Sequence, residues 1–382
     1  MISTPITESL IHGAAEVEPG ERGLRLHRLP DWARRQFPDA QLLAMEAQPS
    51  GVRLVVRTAA TSVELTTHPS RVAYRGAERP RGRIDVLVDG ALHLRDELNG
   101  GDRVEVDLQT GDTAFHPGPA HITRVSGLPA GEKRVEFWLP HNETLELLTL
   151  RSDAPLVADA SPARVWLHHG SSISHGSNAA APTEIWPAVA ALRAGVSLRN
   201  LGLGGSALAD PFLARVMRDT PADLISVKLG INLVNLDVMR LRAFVPAIHG
   251  FLDTIRDGHP DTPLLLVSPI FCGIHEKTPG PGAFDPASFG TGQMRFIATG
   301  DADDATRLTL ERIRRELHTV MERRADDPHL HFLEGTALYG EADAVQHPLP
   351  DGLHPDGATH QMIGERFVEQ VFAAGGAFAP AV

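Results

Sequence analysis

The hydrophobic pattern of this chain changes period near residue 155, and that change limits the folds open to it. Before it, apolar and polar residues alternate in short segments: Gln41–Ala47, Val52–Thr58, Ser62–Thr67, Ile84–Gly90, Arg103–Leu108, Arg134–Leu139 and Leu145–Leu150. Glycine, proline and asparagine turns separate them, and the one stretch of helical character is Pro30–Phe37. Period-two segments at such spacing predict an antiparallel β-sandwich of the jelly-roll kind. After the change, strand patterns at 163–169, 197–202, 223–229, 262–270 and 329–334 alternate with helical ones at 184–194, 237–257, 306–325 and 358–374. That alternation predicts a parallel, doubly wound sheet of flavodoxin type. The proline-bearing, small-residue stretch Ser152–Pro162 joins the two, so the expected domains are 1–157 and 158–382.

Charge and cysteine content narrow the function. A net charge of −12 argues against nucleic acid or an anionic membrane as partner. The single cysteine, Cys272, rules out an intramolecular disulfide and gives no support to an oxidising compartment. The first twenty residues carry acidic side chains and no long apolar run, unlike a secretion signal. No apolar run approaches the roughly 18 residues that span a bilayer. The expectation is a soluble, cytoplasmic protein.

The chemistry gathers at four short pieces, each at the end of a strand or beside the last helix. Arg164–His168 reads as a buried strand that stops at Gly170, and the hydroxyls Ser171, Ser172 and Ser174 follow. A serine delivered to the carboxyl edge of an open α/β sheet stands where such sheets bind ligands. Asn200-Leu201-Gly202-Leu203-Gly204-Gly205-Ser206 ends the second strand, and Gly230-Ile231-Asn232 the third. Asp351 and His354 lie three apart just before the last helix, so one turn can present both. Acyl transfer needs a nucleophile, a base, a group that orients the base, and donors for the oxyanion. Taken singly, these pieces also read as a Ser-rich loop, a tight connection, a turn and a capped helix start.

Together and in this order, the pieces resemble the blocks of the SGNH, or GDSL-type, serine hydrolases, over about residues 163–374. The resemblance implies Ser172 as nucleophile, Asp351 and His354 as acid and base, and an oxyanion hole from the N–H groups of Ser172 and Gly205 with the Asn232 amide. Two positions depart from the pattern: Ser171 stands in place of the family's aspartate, and Leu233 in place of the aspartate after the asparagine. Ile173 matches the aliphatic residue after the nucleophile, which favours Ser172 over Ser171. A β-sandwich ahead of such a domain resembles a two-domain subgroup of carbohydrate esterases and natural-product O-acyltransferases, including enzymes of antibiotic biosynthesis. The expected partners are then a small-molecule acyl donor and an alcohol acceptor, or a carbohydrate ester. No bound cofactor is expected, and acyl-CoA or another thioester would enter as donor substrate.

Further candidates surround this set. His169, of the pair His168-His169, is expected to line the pocket; a zinc site there lacks neighbouring Cys or acidic residues, and no metal is expected. Cys272–Gly300 is a long polar segment after a strand, the kind that forms lids. It carries His275, Glu276, Phe284, Phe289, Met294 and Phe296, with His275, Phe284 and Phe289 as candidate substrate contacts. Asp301, Asp303 and Asp304 read as acidic residues before a helix rather than a calcium site. Gly202–Gly205 lacks dinucleotide spacing and a P-loop lysine, so phosphate binding is disfavoured. The main competitor to an acyl-transfer enzyme is a carbohydrate-binding protein with a non-catalytic α/β scaffold.

Overall fold

Alternation in the first part of the chain produces two β-sheets. In the computed structural model, which describes residues 1–75, 79–107, 110–161, 163–288, 291 and 294–379, one sheet runs Thr113–His116, Asp102–Val106, Val63–Tyr74, Thr144–Ser152, Leu24–His27, Glu16–Pro19. The other runs Leu156–Ala158, Arg53–Thr58, Lys133–Trp138, Arg83–Val88, Ala91–Glu97. Pairing is antiparallel except where Ser70–Tyr74 meets Asp102–Val106 in parallel. Leu54, Val56, Val135 and Phe137 from one sheet and Val63, Leu65, Leu145, Leu147 and Leu150 from the other share one core. A bulge between Leu147 and Thr149 shifts the register, which lets Leu147 and Leu150 both face inward at odd spacing.

One expected strand is a helix. Gln41–Ala47 forms most of the helix Ala40–Glu46. Its residues are nearly all strong helix formers, and Asp39 Oδ1 accepts from the Leu42 N–H at 2.8 Å, capping the first turn. The short helix Asp31–Gln36 lies within the stretch read as helical.

The second part is a five-stranded parallel sheet. We label its strands β1 (Val165–Gly170), β2 (Ser197–Gly202), β3 (Leu224–Lys228), β4 (Leu264–Val267) and β5 (Leu330–Leu333). Their order in space is β2-β1-β3-β4-β5, the flavodoxin order. Helices Trp186–Ala194 and Gly357–Phe367 pack together as one group, and Pro211–Asp219, Leu241–Gly258 and Leu310–Glu322 as the other. The helix Pro211–Asp219 lies where no helical pattern was read.

The chain divides into two compact units. One comprises Met1–Asp31, Leu43–Ala163 and Ala180–Glu184; the other Trp32–Leu42, Arg164–Ala179 and Ile185–Val382. The α/β unit therefore takes in residues 32–42, a piece of chain that precedes most of the sandwich.

Candidate active site

The site lies at the carboxyl ends of β1, β2 and β3, beside the point where strand order reverses. β1 ends at Gly170, and the chain turns at once into the short helix Ser172–His175. Ser171 caps that helix: its buried hydroxyl accepts from the Ile173 N–H. Ser172 is half-buried, and its Oγ lies 2.9 Å from His354 Nε2. His354 Nδ1 lies 2.8 Å from Asp351 Oδ2. Asp351 Oδ1 accepts from the N–H groups of Leu353 and His354, at 2.9 and 2.7 Å. Burial alone would push the Asp351 carboxyl up, but the hydrogen bonds from His354 and Leu353 outweigh it and hold it below the usual range. The carboxylate therefore stays ionised beside an imidazole whose other nitrogen faces a serine hydroxyl. Such a chain can move a proton off Ser172.

Close backbone approach explains the glycines. A Cβ on Gly202 would sit 2.4 Å from His175 N, so the serine-bearing helix rests directly on β2. Gly205 has φ +72°, open to glycine at little cost. Asn232, 4% exposed, accepts through Oδ1 from the Ala207 N–H at 3.1 Å, and its Nδ2 donor has no partner among the described residues. The structure thus brings Ser172, Asp351 and His354 into one hydrogen-bonded chain and sets Asn232 with its donor end free.

Other expected contacts fall elsewhere. His169 is fully buried, bonded through Nδ1 to the Leu201 carbonyl and stacked on Phe251. Burial pulls its imidazole down to about 4, so it is a neutral core residue and not a pocket wall. His168 bonds through both ring nitrogens, to Ser226 Oγ and Ser174 Oγ, and has none left for a metal. His275 is buried, bonded to the Thr278 carbonyl and Asn235 Oδ1; it anchors the segment it opens instead of facing substrate. Glu276 pairs with Arg314. Phe284 is exposed and packs on Phe296, with centroids 4.9 Å apart. Phe296 in turn meets the His354 ring at 5.6 Å, nearly edge-on. Phe289 lies outside the described residues. Residues 272–300 are not structureless: Gly282–Phe284 pairs with Phe296–Ala298, and the Phe296 N–H donates to the Asp351 carbonyl at 2.8 Å. Asp301 and Asp304 accept from the nearby N–H groups of Asp303 and Thr306. Among the described residues no group of three or more His, Cys, Asp or Glu is placed to hold a metal ion.

Two supports were not read from the sequence. Asn200 is fully buried; its Nδ2 donates to the Ser174 carbonyl and its Oδ1 accepts from the Gly202 N–H, both at 2.9 Å. It ties the serine helix to β2. Beneath that helix, Trp166 Nε1–H donates to Ser226 Oγ at 2.8 Å, and His168 is hydrogen-bonded through Nδ1 to Ser226 Oγ and through Nε2 to Ser174 Oγ. A serine inside the apolar strand β3 was the available signal for this chain.

Fold and site together define a serine enzyme of acyl transfer or ester hydrolysis. The chain belongs to the GDSL-like lipase/acylhydrolase family, which matches residues 169–362; residues 10–148 match the family of SsfX3 N-terminal domains. It is similar to a solved salicylyl-acyltransferase, SsfX3, from a tetracycline biosynthetic pathway, at 29% identity over 94% of this chain and 92% of that one, with TM-score 0.77. A candidate GDSL-like lipase from Bacteroides ovatus shares the fold at 18% identity, covering 94% of each chain, with TM-score 0.66. A family two carbohydrate esterase from Clostridium thermocellum shares it at 17% identity, over 84% of this chain and 90% of that one, with TM-score 0.55. No curated protein matches the chain. No helix among the described residues is long and apolar enough to cross a membrane.

Proposed function

We propose that the protein is an O-acyltransferase that moves an acyl group from a small-molecule donor to an alcohol through an acyl-enzyme on Ser172. The observation that carries acyl transfer is the chain Ser172 Oγ, His354 Nε2, His354 Nδ1, Asp351 Oδ2. Ser172 Oγ attacks the donor carbonyl and gives its proton to His354 Nε2. Asp351 holds the Nδ1–H and stabilises the imidazolium. The N–H groups of Ser172 and Gly205 and the Asn232 Nδ2 take the oxyanion. The leaving group collects the proton from His354, and the ester on Ser172 remains. An alcohol then gives its proton to His354 and attacks the ester, and His354 returns the proton to Ser172 Oγ as the serine leaves. The donor is an ester or a thioester such as acyl-CoA, and the step as written needs no bound cofactor.

Transfer is preferred to hydrolysis because of what lies beside His354. Phe296 places apolar surface against the base that would activate water, Phe284 extends it from behind Phe296, and such surface suits an acyl chain or an aromatic acceptor. The likeness to a salicylyl-acyltransferase supports the same reading, with a natural-product alcohol as acceptor. The test is product partitioning with 4-nitrophenyl acetate, with and without sugar and polyphenol alcohols. Wild type is expected to form acylated alcohol, with the acyl-enzyme trapped by mass spectrometry on Ser172 and absent from Ser172→Ala. Removing residues 282–298 should shift product toward free acid. If every acceptor gives only free acid and the shortened chain does the same, the protein is an esterase that hydrolyses O-acyl esters.

A further inference from the structure

We propose that Gln41 is a positioning residue of the oxyanion hole: it holds the Gly204–Gly205 peptide in the one orientation that aims the Gly205 N–H at the substrate oxygen. This rests on the acyl-transfer reading above and adds to it a residue from the chain's first fifty.

The peptide in question is poorly fixed by its own sequence. Leu203 to Ser206 form a β-turn, closed by the Ser206 N–H donating to the Leu203 carbonyl at 3.1 Å. Gly204 and Gly205 are its central residues, and the φ of +72° at Gly205 makes it type II. Type I and type II turns differ mainly by a flip of that central peptide, and two glycines offer little steric resistance to it. The Gly204 carbonyl and the Gly205 N–H are opposite ends of one planar trans unit. Whatever holds the carbonyl therefore aims the N–H.

Gln41 holds it. Its Nε2 donates to the Gly204 carbonyl at 2.9 Å. Its Cγ and Nε2 lie 3.3 Å from where a Cβ on Gly205 would sit, so the same side chain covers the turn. The donor also polarises the peptide, which strengthens the N–H at the far end. Gln41 can do this because residues 32–42 belong to the α/β unit, and Asp39 caps the helix on which Gln41 stands. Gln41 itself is exposed, so replacing it leaves no hole in a core.

The test compares Gln41→Met, Gln41→Ala and Gln41→Glu with wild type on 4-nitrophenyl acetate at pH 8, with Ser172→Ala and Asn232→Ala alongside. Gln41→Met keeps the cover over Gly205 and removes only the donor. We expect it to lower kcat about five- to tenfold, the worth of one hydrogen bond, with KM within twofold and the melting temperature unchanged. Gln41→Ala should lose as much, and Gln41→Glu, a carboxylate facing a carbonyl, more. A Gln41→Met kcat equal to wild type, or a change confined to KM, overturns the inference while Ser172→Ala and Asn232→Ala still fail. If those two are as active as wild type, the acyl-transfer reading itself is what falls.

Discussion

The two units differ in the polar groups they bury most conspicuously. The sandwich buries formal charges in pairs: Arg53 with Glu136, Arg81 with Glu143 and Arg95 with Asp85; the Glu46 carboxylate is met by the His27 ring and the N–H groups of Arg28 and Leu29. The α/β unit surrounds its reactive serine with neutral imidazoles. His168, His169 and His360 are fully buried, and burial lowers each of them, His169 and His360 to about 4. The contrast follows from what each unit must hold. Ion pairs fix strands against each other and tolerate no change of partner once desolvated. Around Ser172 a second fixed charge would compete with Asp351 for the His354 proton, whereas a neutral imidazole can join two polar groups, as His168 joins two hydroxyls and His360 the Trp186 N–H and the Ser177 carbonyl, without adding a charge.

The largest effect expected from breaking this contrast lies in the sandwich. Glu136 is 2% exposed and meets Arg53, Arg134 and the Trp138 indole N–H. Burial pulls Arg53 down to about 10, and Glu136 pulls it back, so the guanidinium stays charged. Glu136→Leu removes the carboxylate from beside that buried charge and from Arg134. It should cost the sandwich about 3–5 kcal/mol in denaturant unfolding, while kcat, measured below the transition, stays at the wild-type value. A loss under about 1 kcal/mol would show that packing and not the ion pairs holds these strands.

The second effect is its mirror image, a change in rate with little change in stability. Asn232→Ala should lower kcat by about 10²–10³ with a smaller change in KM, as for loss of one oxyanion donor. The fold should lose about 1 kcal/mol, since only the bond to the Ala207 N–H goes. An effect confined to KM would move Asn232 from the oxyanion to substrate positioning.

What the sequence made legible was whatever follows from period and local spacing. The five parallel strands come from apolar runs, and the family pieces stand at their ends because that is where an open sheet places loops. Asp351 and His354 stood out because they are close in sequence before a helix, a strand end offered Ser171 and Ser172 together, and the family resemblance singled out Ser172. Side-chain fates set by distant neighbours were not legible. His169 and His275 read as contacts because imidazoles near a site are common, yet their partners, the Leu201 carbonyl and Asn235, are far along the chain. Gln41–Ala47 was misread as a strand because its apolar run is as short as one, and composition, rich in Ala, Leu, Met and Gln, was the better guide. With that error the residue beside Gly204 was missed as well.

The smallest expected effect, about 2 kcal/mol for each buried histidine between pH 7.5 and 5.0, is a difference in how the units meet acid. His169 and His360 take their protons only near pH 4 when folded, but near 6.5 when unfolded. The unfolded chain therefore binds protons first, so the α/β unit is at full stability above about pH 6.5 and loses about 1.4 kcal/mol per pH unit per histidine below it. The loss continues down to the folded-state values, and His168, held lower still, adds to it. In the sandwich the shifted carboxylates run the other way: bonds from Ser161, Arg134 and Arg57 outweigh burial at Asp159, and backbone N–H groups and Arg25 outweigh it at Glu146. Their contribution is intact above the ordinary carboxylate range of about 4 and fades only below it. Between pH 6.5 and 4.5 the sandwich has His12, lowered to about 4, against His168, His169 and His360 in the α/β unit, where His249, His275 and His331 are lowered as well. Urea unfolding at pH 7.5 and 5.0 of a Trp32→Phe, Trp138→Phe variant, read by the fluorescence of the remaining Trp166 and Trp186 and separately by the β-sheet circular dichroism, should show the tryptophan transition moving further. His360→Gln should flatten the pH slope of the tryptophan transition by one histidine's share, since it removes one titrating group. The same shift in both signals, or a slope unchanged by His360→Gln, would mean that the buried imidazoles do not set the acid response.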